Sequence, residues 1–125
     1  MNKILRVIVA LPGILFVVTG LRWLVDPSAA AAQLEMPLLD GVGRSSQIGD
    51  MSGFFLTLGI LILIALITSK RSWYYPAIIL LVITAIGRVL AWLVHDAALA
   101  VDMIAPEVII ACLLLFASRK LADQA

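Results

Sequence analysis

The sequence has 125 residues, of which 63% are hydrophobic and 14% are charged, and its mean hydropathy is +1.12. A water-soluble domain usually carries about 25% charged residues, so this chain has too little polar surface for a soluble globule. The net charge of +1, with basic residues in scattered pairs and singles, argues against nucleic acid as a partner. One cysteine, Cys112, and one histidine, His95, exclude an intramolecular disulfide and argue against zinc or haem held by protein ligands.

Four apolar segments follow one another along the chain, each near the roughly 20 residues that a membrane-spanning helix needs. They cover residues 4–25, 48–68, 75–94 and 99–117. The links between the last three segments are short, so these helices must be antiparallel neighbours. The sequence therefore predicts an all-α fold, an integral membrane four-transmembrane-helix bundle that forms a single transmembrane domain over residues 1–125.

The first segment also has a rival interpretation as a cleaved signal peptide, because two basic residues precede it and the alanines of residues 29–32 follow it. Arg22 and Asp26 lie between the apolar run and those alanines, which makes the cleavage region too long and too polar. A retained helix is therefore preferred. Residues 28–34, after Pro27, predict a short interfacial helix between the first and second membrane helices.

The basic residues predict how the bundle is oriented. Six of them flank the spans on one side of the membrane, and these are Lys3, Arg6, Lys70, Arg71, Arg119 and Lys120. Because short cytoplasmic segments carry an excess of lysine and arginine, this side is expected to be cytoplasmic. Both termini and the loop between the second and third membrane helices are then predicted to lie in the cytoplasm.

The other three arginines break this pattern. Arg22, Arg44 and Arg88 lie toward the opposite, non-cytoplasmic side, as do Asp50 and Glu107. Arg88 falls about seven residues before the end of its helix, roughly 10 Å inside the membrane, and Glu107 falls at a similar depth. A charge at the bilayer centre costs about 2.5–3.5 kcal/mol on insertion scales. We therefore expect these side chains to face the interior of the bundle.

Helical spacing places polar or small residues on one face of each membrane helix. Two interpretations of these inward faces are compatible. In the first, Arg88 pairs with Glu107 and Arg22 pairs with Asp50, and the ion pairs lock the bundle. In the second, the charges surround a polar cavity, open to the non-cytoplasmic side, that binds a small molecule or a lipid headgroup.

Two further polar residues are weaker candidates for this site. His95, beside Asp96 at the end of the third membrane helix, is a possible proton acceptor but more often such a histidine is an interfacial residue. Gln47 precedes the second membrane helix and is a secondary candidate for ligand contact.

Small and aromatic residues suggest how the helices pack. Gly49-x-x-x-Gly53 predicts either a dimer interface or the close approach of a neighbouring helix in the same bundle. Trp23 and Trp92 are predicted to be anchors at the membrane interface, although either could form the wall of a cavity.

Four short motifs are spread over nearly the whole chain, namely GLRWLVDP at residues 20–27, GRSSQIGD at residues 43–50, Gly87-Arg88, and Glu107. Together they resemble a family of small bacterial four-helix inner-membrane proteins of unknown function, which is similar to the DoxX-like membrane proteins in size and layout. The resemblance implies a four-helix bundle in the bacterial inner (plasma) membrane and brings no established reaction. DoxX-like relatives are associated with quinone-linked or thiol redox systems, and this chain lacks the cysteine pair that thiol chemistry needs.

Three hypotheses for the function follow. The first is a non-enzymatic protein that binds a small amphipathic or anionic ligand, or a partner subunit, through Arg22, Arg44, Asp50, Arg88 and Glu107. The second is a membrane enzyme or enzyme subunit acting on a lipid-soluble substrate such as a quinone or a lipid, in which Glu107 or His95 moves protons. The third is a small transporter acting as a homodimer, suggested by the similar helix ends around Trp23 and Trp92. No catalytic residue or cofactor is identified by the sequence, and membrane lipid is the expected surrounding partner.

The orientation can be tested with single cysteines in a Cys112→Ser background. Cysteine at Ser72, in the basic loop, should react with a membrane-impermeant maleimide only after the cells are permeabilised. Cysteine at Ala97, in the turn between the last two membrane helices, should react in intact cells. Labelling of the Ser72 position from outside would contradict the predicted orientation.

Overall fold

The computed structural model describes residues 2–122 and is built from α-helices, with no β-strand in that range. The helices are α1 (Asn2–Val25), α2 (Pro27–Gln33), α3 (Gly41–Thr68), α4 (Tyr74–Val94) and α5 (Val101–Lys120), with one 3-10 turn at Arg71–Trp73. The four long helices are each long and apolar enough to cross a membrane. Many large hydrophobic side chains on all four are exposed on the outside of the bundle, as a lipid environment requires. The predicted all-α fold is confirmed, and the chain is a multi-pass membrane protein.

The helix boundaries differ most from the prediction at α3, which begins at Gly41 instead of residue 48. Polar residues can occupy these extra turns because Gln47 is hydrogen-bonded and Arg44 folds back onto the residues before the helix. The short helix predicted between the first two spans is present as α2. Pro27 suits its first turn, and the Asp26 side chain accepts a hydrogen bond from the Ala29 backbone N–H at 3.4 Å.

The backbones of α1 and α3 approach each other closely at three glycines. A Cβ atom on Gly59 would lie 2.7 Å from the carbonyl oxygen of Gly13 and 2.7 Å from the backbone nitrogen of Val17. A Cβ atom on Gly20 would lie 2.8 Å from the backbone nitrogen of Leu56. Small residues allow such contacts between membrane helices, where packing replaces the hydrophobic driving force.

Gly49 and Gly53 do not serve this purpose. A Cβ atom on either would meet nothing within 4 Å, so the predicted close approach of a helix of the same bundle at this motif is wrong. Thr57, one helical turn after Gly53, is also exposed, although helical spacing placed it with Gly53 on the predicted polar face of this helix. The inward face of α3 is instead a row of mostly apolar residues that includes Phe55, Leu58 and Ile62.

The four long helices form two pairs, α1 with α3 and α4 with α5, and contacts between the pairs are fewer. One end of the bundle carries the six basic residues Lys3, Arg6, Lys70, Arg71, Arg119 and Lys120, and we call it the basic end. Toward this end, all four helices share one core, formed by residues such as Val9, Ile62, Leu81 and Leu114. Toward the opposite end, the buried cluster contains only Trp23, Ala30, Ala31 and Phe55, from α1, α2 and α3. The two pairs therefore share less buried packing there.

Arginine side chains hold the helices together at the basic end. Arg6 donates from Nη2 to the Leu66 carbonyl at 2.8 Å, and Arg71 donates from Nε to the Ser118 carbonyl at 2.9 Å. These carbonyls lie in the last turns of α3 and α5, where helices leave acceptors without intrahelical partners and favour positive charge. Each bond links two elements that are distant in sequence.

The glycine contact can be tested by comparing two substitutions on α3. Gly59→Ala should lower the free energy of unfolding by roughly 1–3 kcal/mol, because the added methyl group meets the backbone of α1. Gly53→Ala is the matched control and should leave stability unchanged or slightly higher, since alanine is the better helix former. Both can be measured by unfolding in mixed micelles followed by circular dichroism. Equal effects of the two substitutions would contradict the packing described here.

Candidate functional site

A cavity of about 400 Å³ lies where α3, α4, α5 and the residues that follow α2 face one another, toward the end opposite the basic end. Its apolar wall is formed by Leu34, Met36, Met51, Phe54, Phe55 and Met103. Its polar groups are Asp50, Thr84 and Arg88. A second space of about 330 Å³ shares Leu34, Arg88 and Met103 with it and adds Glu35 and four alanines. Because the two share wall residues, they are neighbouring parts of one recess.

Gln47 holds the wall that the α2–α3 connector, residues 34–40, contributes to the cavity. Its Oε1 accepts a hydrogen bond from the Leu39 backbone N–H at 2.9 Å, and its Nε2 donates to the Pro37 carbonyl at 3.1 Å. The Gln47 side chain is buried and does not line the cavity. By fixing the backbone beside Met36, Gln47 supports the cavity wall from outside the cavity. The sequence had instead suggested that Gln47 contacts the ligand.

Arg88 and Glu107 form the predicted ion pair between α4 and α5. Arg88 donates from Nε to both carboxylate oxygens of Glu107, at 3.0 Å and 3.2 Å. The Glu107 side chain is 12% exposed and that of Arg88 is 29% exposed. Because the contact uses one N–H of the guanidinium, the Nη groups are not engaged by Glu107, and Arg88 still lines both parts of the recess.

The predicted pairing of Arg22 with Asp50 is wrong. Asp50 lines the cavity, and no basic nitrogen lies within 4.0 Å of it among residues 2–122. Arg22 is half-buried and makes no ion pair in the same range. The reason is the rotation of α1. Gly20 and Trp23 occupy its face toward α3, and successive helical residues point about 100° apart, so Arg22 points away from that face.

Arg44 also lies outside the cavity. Its Nε donates to the Leu39 carbonyl at 2.7 Å, and its Nη2 lies 3.2 Å from the Asp40 carboxylate. The Arg44 side chain is 48% exposed and that of Asp40 is 99% exposed, so the contribution of this pair to stability is small. Of the five charged residues predicted to share one site, the structure brings together Asp50, Arg88 and, through its ion pair, Glu107.

His95 is exposed at the carboxyl end of α4 and does not line the recess. Its backbone N–H bonds to the Ala91 carbonyl at 3.0 Å and ends the helix. No hydrogen bond joins its side chain to Asp96 within the part of the chain that the structure describes. The geometry therefore does not bring His95 to the other predicted site residues.

Sequence reasoning missed the role of the methionines. Every methionine except Met1 lines the cavity. The thioether side chain is flexible and polarizable, so methionine-rich surfaces adapt to ligands of different shape. The signal was present in the sequence, because Met36, Met51 and Met103 all fall near the ends of helices on the predicted non-cytoplasmic side.

The environment of Trp23 also differs from the prediction made from the sequence. It is fully buried against Ala30, Ala31 and Phe55, so the prediction that it is an interface anchor is wrong. Trp92, by contrast, is 45% exposed. The two similar helix ends therefore have different environments.

Comparison with protein-family models, curated proteins and solved structures finds no match to this chain. The similarity to the DoxX-like proteins stays a prediction from its motifs.

The role of the ion pair can be tested with Arg88→Met, Glu107→Gln and the double variant. Removing one partner from a fully buried pair costs roughly 3–5 kcal/mol, and we expect about 2 kcal/mol for Arg88→Met because Arg88 is partly exposed. The double variant should recover more than half of that loss, since no uncompensated charge remains. The free energy of unfolding of the single and double variants can be measured in mixed micelles.

Asp40→Asn is the control for that experiment, because it removes only the exposed pair with Arg44 and should change stability little. Additive effects of the Arg88 and Glu107 substitutions would show that the two side chains are not energetically coupled.

Proposed function

We propose that this chain is a membrane protein that binds a small amphipathic molecule in the recess between its two helix pairs. The observation that carries the proposal is a cavity of about 400 Å³ whose wall is apolar apart from a few polar groups. Small-molecule sites are typically concave and apolar, about 300–1,000 Å³ in volume, with a few polar groups that orient the ligand. Both properties fit this recess.

The wall composition supports a ligand with a substantial apolar part. Three methionines and two phenylalanines line the cavity, and flexible thioethers beside aromatic rings suit a hydrophobic body of variable shape. Asp50 and Arg88 would face the polar part of the ligand. Ionisable residues inside membrane proteins are costly and are commonly kept for a function.

The enzyme hypothesis has weaker support from the geometry. Glu107 holds the Nε of Arg88 with both of its oxygens, and His95 lies away from the cavity. A general acid or base must reach the reacting group within hydrogen-bond distance, and neither residue lines the cavity. The transporter hypothesis rested on similar helix ends, and Trp23 and Trp92 differ in burial. A ligand-binding function is therefore preferred.

We further propose that the protein resides in the bacterial inner membrane, related to the DoxX-like proteins, with both termini in the cytoplasm. The six basic residues at one end of the bundle support this orientation. The recess would then open toward the non-cytoplasmic side, within reach of molecules dissolved in the outer leaflet.

The proposal can be tested by identifying molecules that stay bound during purification in a mild detergent. The wild-type protein should retain an amphipathic molecule detectable by mass spectrometry. Thr84→Phe places a ring in the cavity and should lower the retained amount several-fold. Ile83→Phe is the matched control, because Ile83 is the adjacent residue and is 62% exposed on the outside of α4. Equal retention of one lipid mixture by all three proteins would contradict a specific site.

A further inference from the structure

The charges around the recess do not balance. Arg88 is the one basic residue in its wall, and its charge is matched by Glu107 at 3.0 Å. Asp50 lines the first part of the recess, and Glu35 lines the second. Neither carboxylate has a basic nitrogen within 4.0 Å among residues 2–122. The recess therefore carries a net negative charge, which disfavours the anionic ligand that was one of the alternatives considered from the sequence.

The other arginines of those motifs do not correct this imbalance. Arg44 is paired with Asp40 on the surface, and Arg22 is not in the wall of either part of the recess. An anionic ligand would have to approach Arg88 while facing Glu107 and Asp50, and like charges at close range repel. A cationic ligand would instead be attracted by the carboxylate of Asp50.

We propose that the ligand is a positively charged amphiphile, such as a lipophilic amine, whose ammonium group binds at Asp50. The inference rests on the proposed ligand-binding function and names the chemical class of the ligand. A charge-assisted contact between the ammonium and the carboxylate orients the molecule. Its apolar body lies against the methionine side chains and the ring of Phe54, which line the same cavity. Asp50 is an exposed residue in the cavity wall, and its carboxylate makes no ion pair among residues 2–122.

The experiment uses the full chain in nanodiscs of zwitterionic lipid and three probes with the same ring system. The probes are 1-naphthylmethylamine, which is a cation, 1-naphthylmethanol, which is neutral, and 1-naphthoate, which is an anion. Binding is measured by fluorescence titration and corrected for partition into empty nanodiscs. The amine should bind at least tenfold more tightly than the alcohol, because a hydrogen bond between an ammonium and a carboxylate is stronger than one made by a neutral hydroxyl. The anion should bind most weakly.

Asp50→Asn should abolish the preference for the amine over the alcohol, measured as the ratio of their two dissociation constants. Asp102→Asn is the matched control, because Asp102 is an exposed carboxylate in the first turn of α5 and does not line the recess. This control should keep the preference intact. A thermal unfolding measurement confirms that both variants are folded.

The possible outcomes separate this inference from the proposed function. If the amine and the alcohol bind equally above the partition background, the cation preference is overturned and the apolar site stands. Tightest binding of 1-naphthoate would overturn it as well and would point to Arg88. If no probe binds above background, both the cation preference and the ligand-binding function fail.

Discussion

The contact between the backbones of α1 and α3 is the constraint on which the rest of the bundle depends. Gly59 faces the carbonyl of Gly13, and Gly20 faces the backbone of Leu56, at distances where no side chain fits. The contact fixes the rotation of α3 about its own axis. As a result Asp50 faces the recess, while Gly53 faces outward. The depth and the charge of the candidate site follow from this rotation.

The second pair, α4 and α5, joins the first through a core shared near the basic end. At the other end, the buried cluster is built from α1, α2 and α3, and the space beside α4 and α5 is the recess. Arg88 and Glu107 bridge α4 and α5 at this level. Two charges that would be costly against lipid are tolerated because they face each other inside the protein. The ion pair thus stabilises the wall of the recess as well as the contact between the two helices.

The α2–α3 connector gives the recess its remaining wall. Gln47 binds the backbone at Pro37 and Leu39, and α2 packs on Trp23 through alanines small enough to lie close to the indole ring. A single glutamine side chain satisfies one backbone donor and one acceptor that would otherwise lack partners near the membrane. Met36 is thereby held in the wall of a cavity whose other methionines come from α3 and α5. The site is assembled from segments that are far apart in the chain.

The sequence by itself determined the membrane environment, the four long helices and the short helix after Pro27, and it predicted the Arg88–Glu107 pair as one of two compatible interpretations of the charges. Hydropathy and length fix the spans because the bilayer sets both. Arg88 and Glu107 lie at similar depth on adjacent helices, and pairing avoids the cost of an unpaired charge inside the membrane. Only the tertiary structure decided which other charges share the site. Arg22, Arg44 and Asp50 stand at suitable depths, but depth says nothing about the rotation of a helix. The close glycine contacts set that rotation. They lie at other positions than the predicted Gly49-x-x-x-Gly53 motif. They leave Asp50 without an arginine partner, in the wall of a cavity that three methionines also line, because side-chain direction depends on how the helices pack.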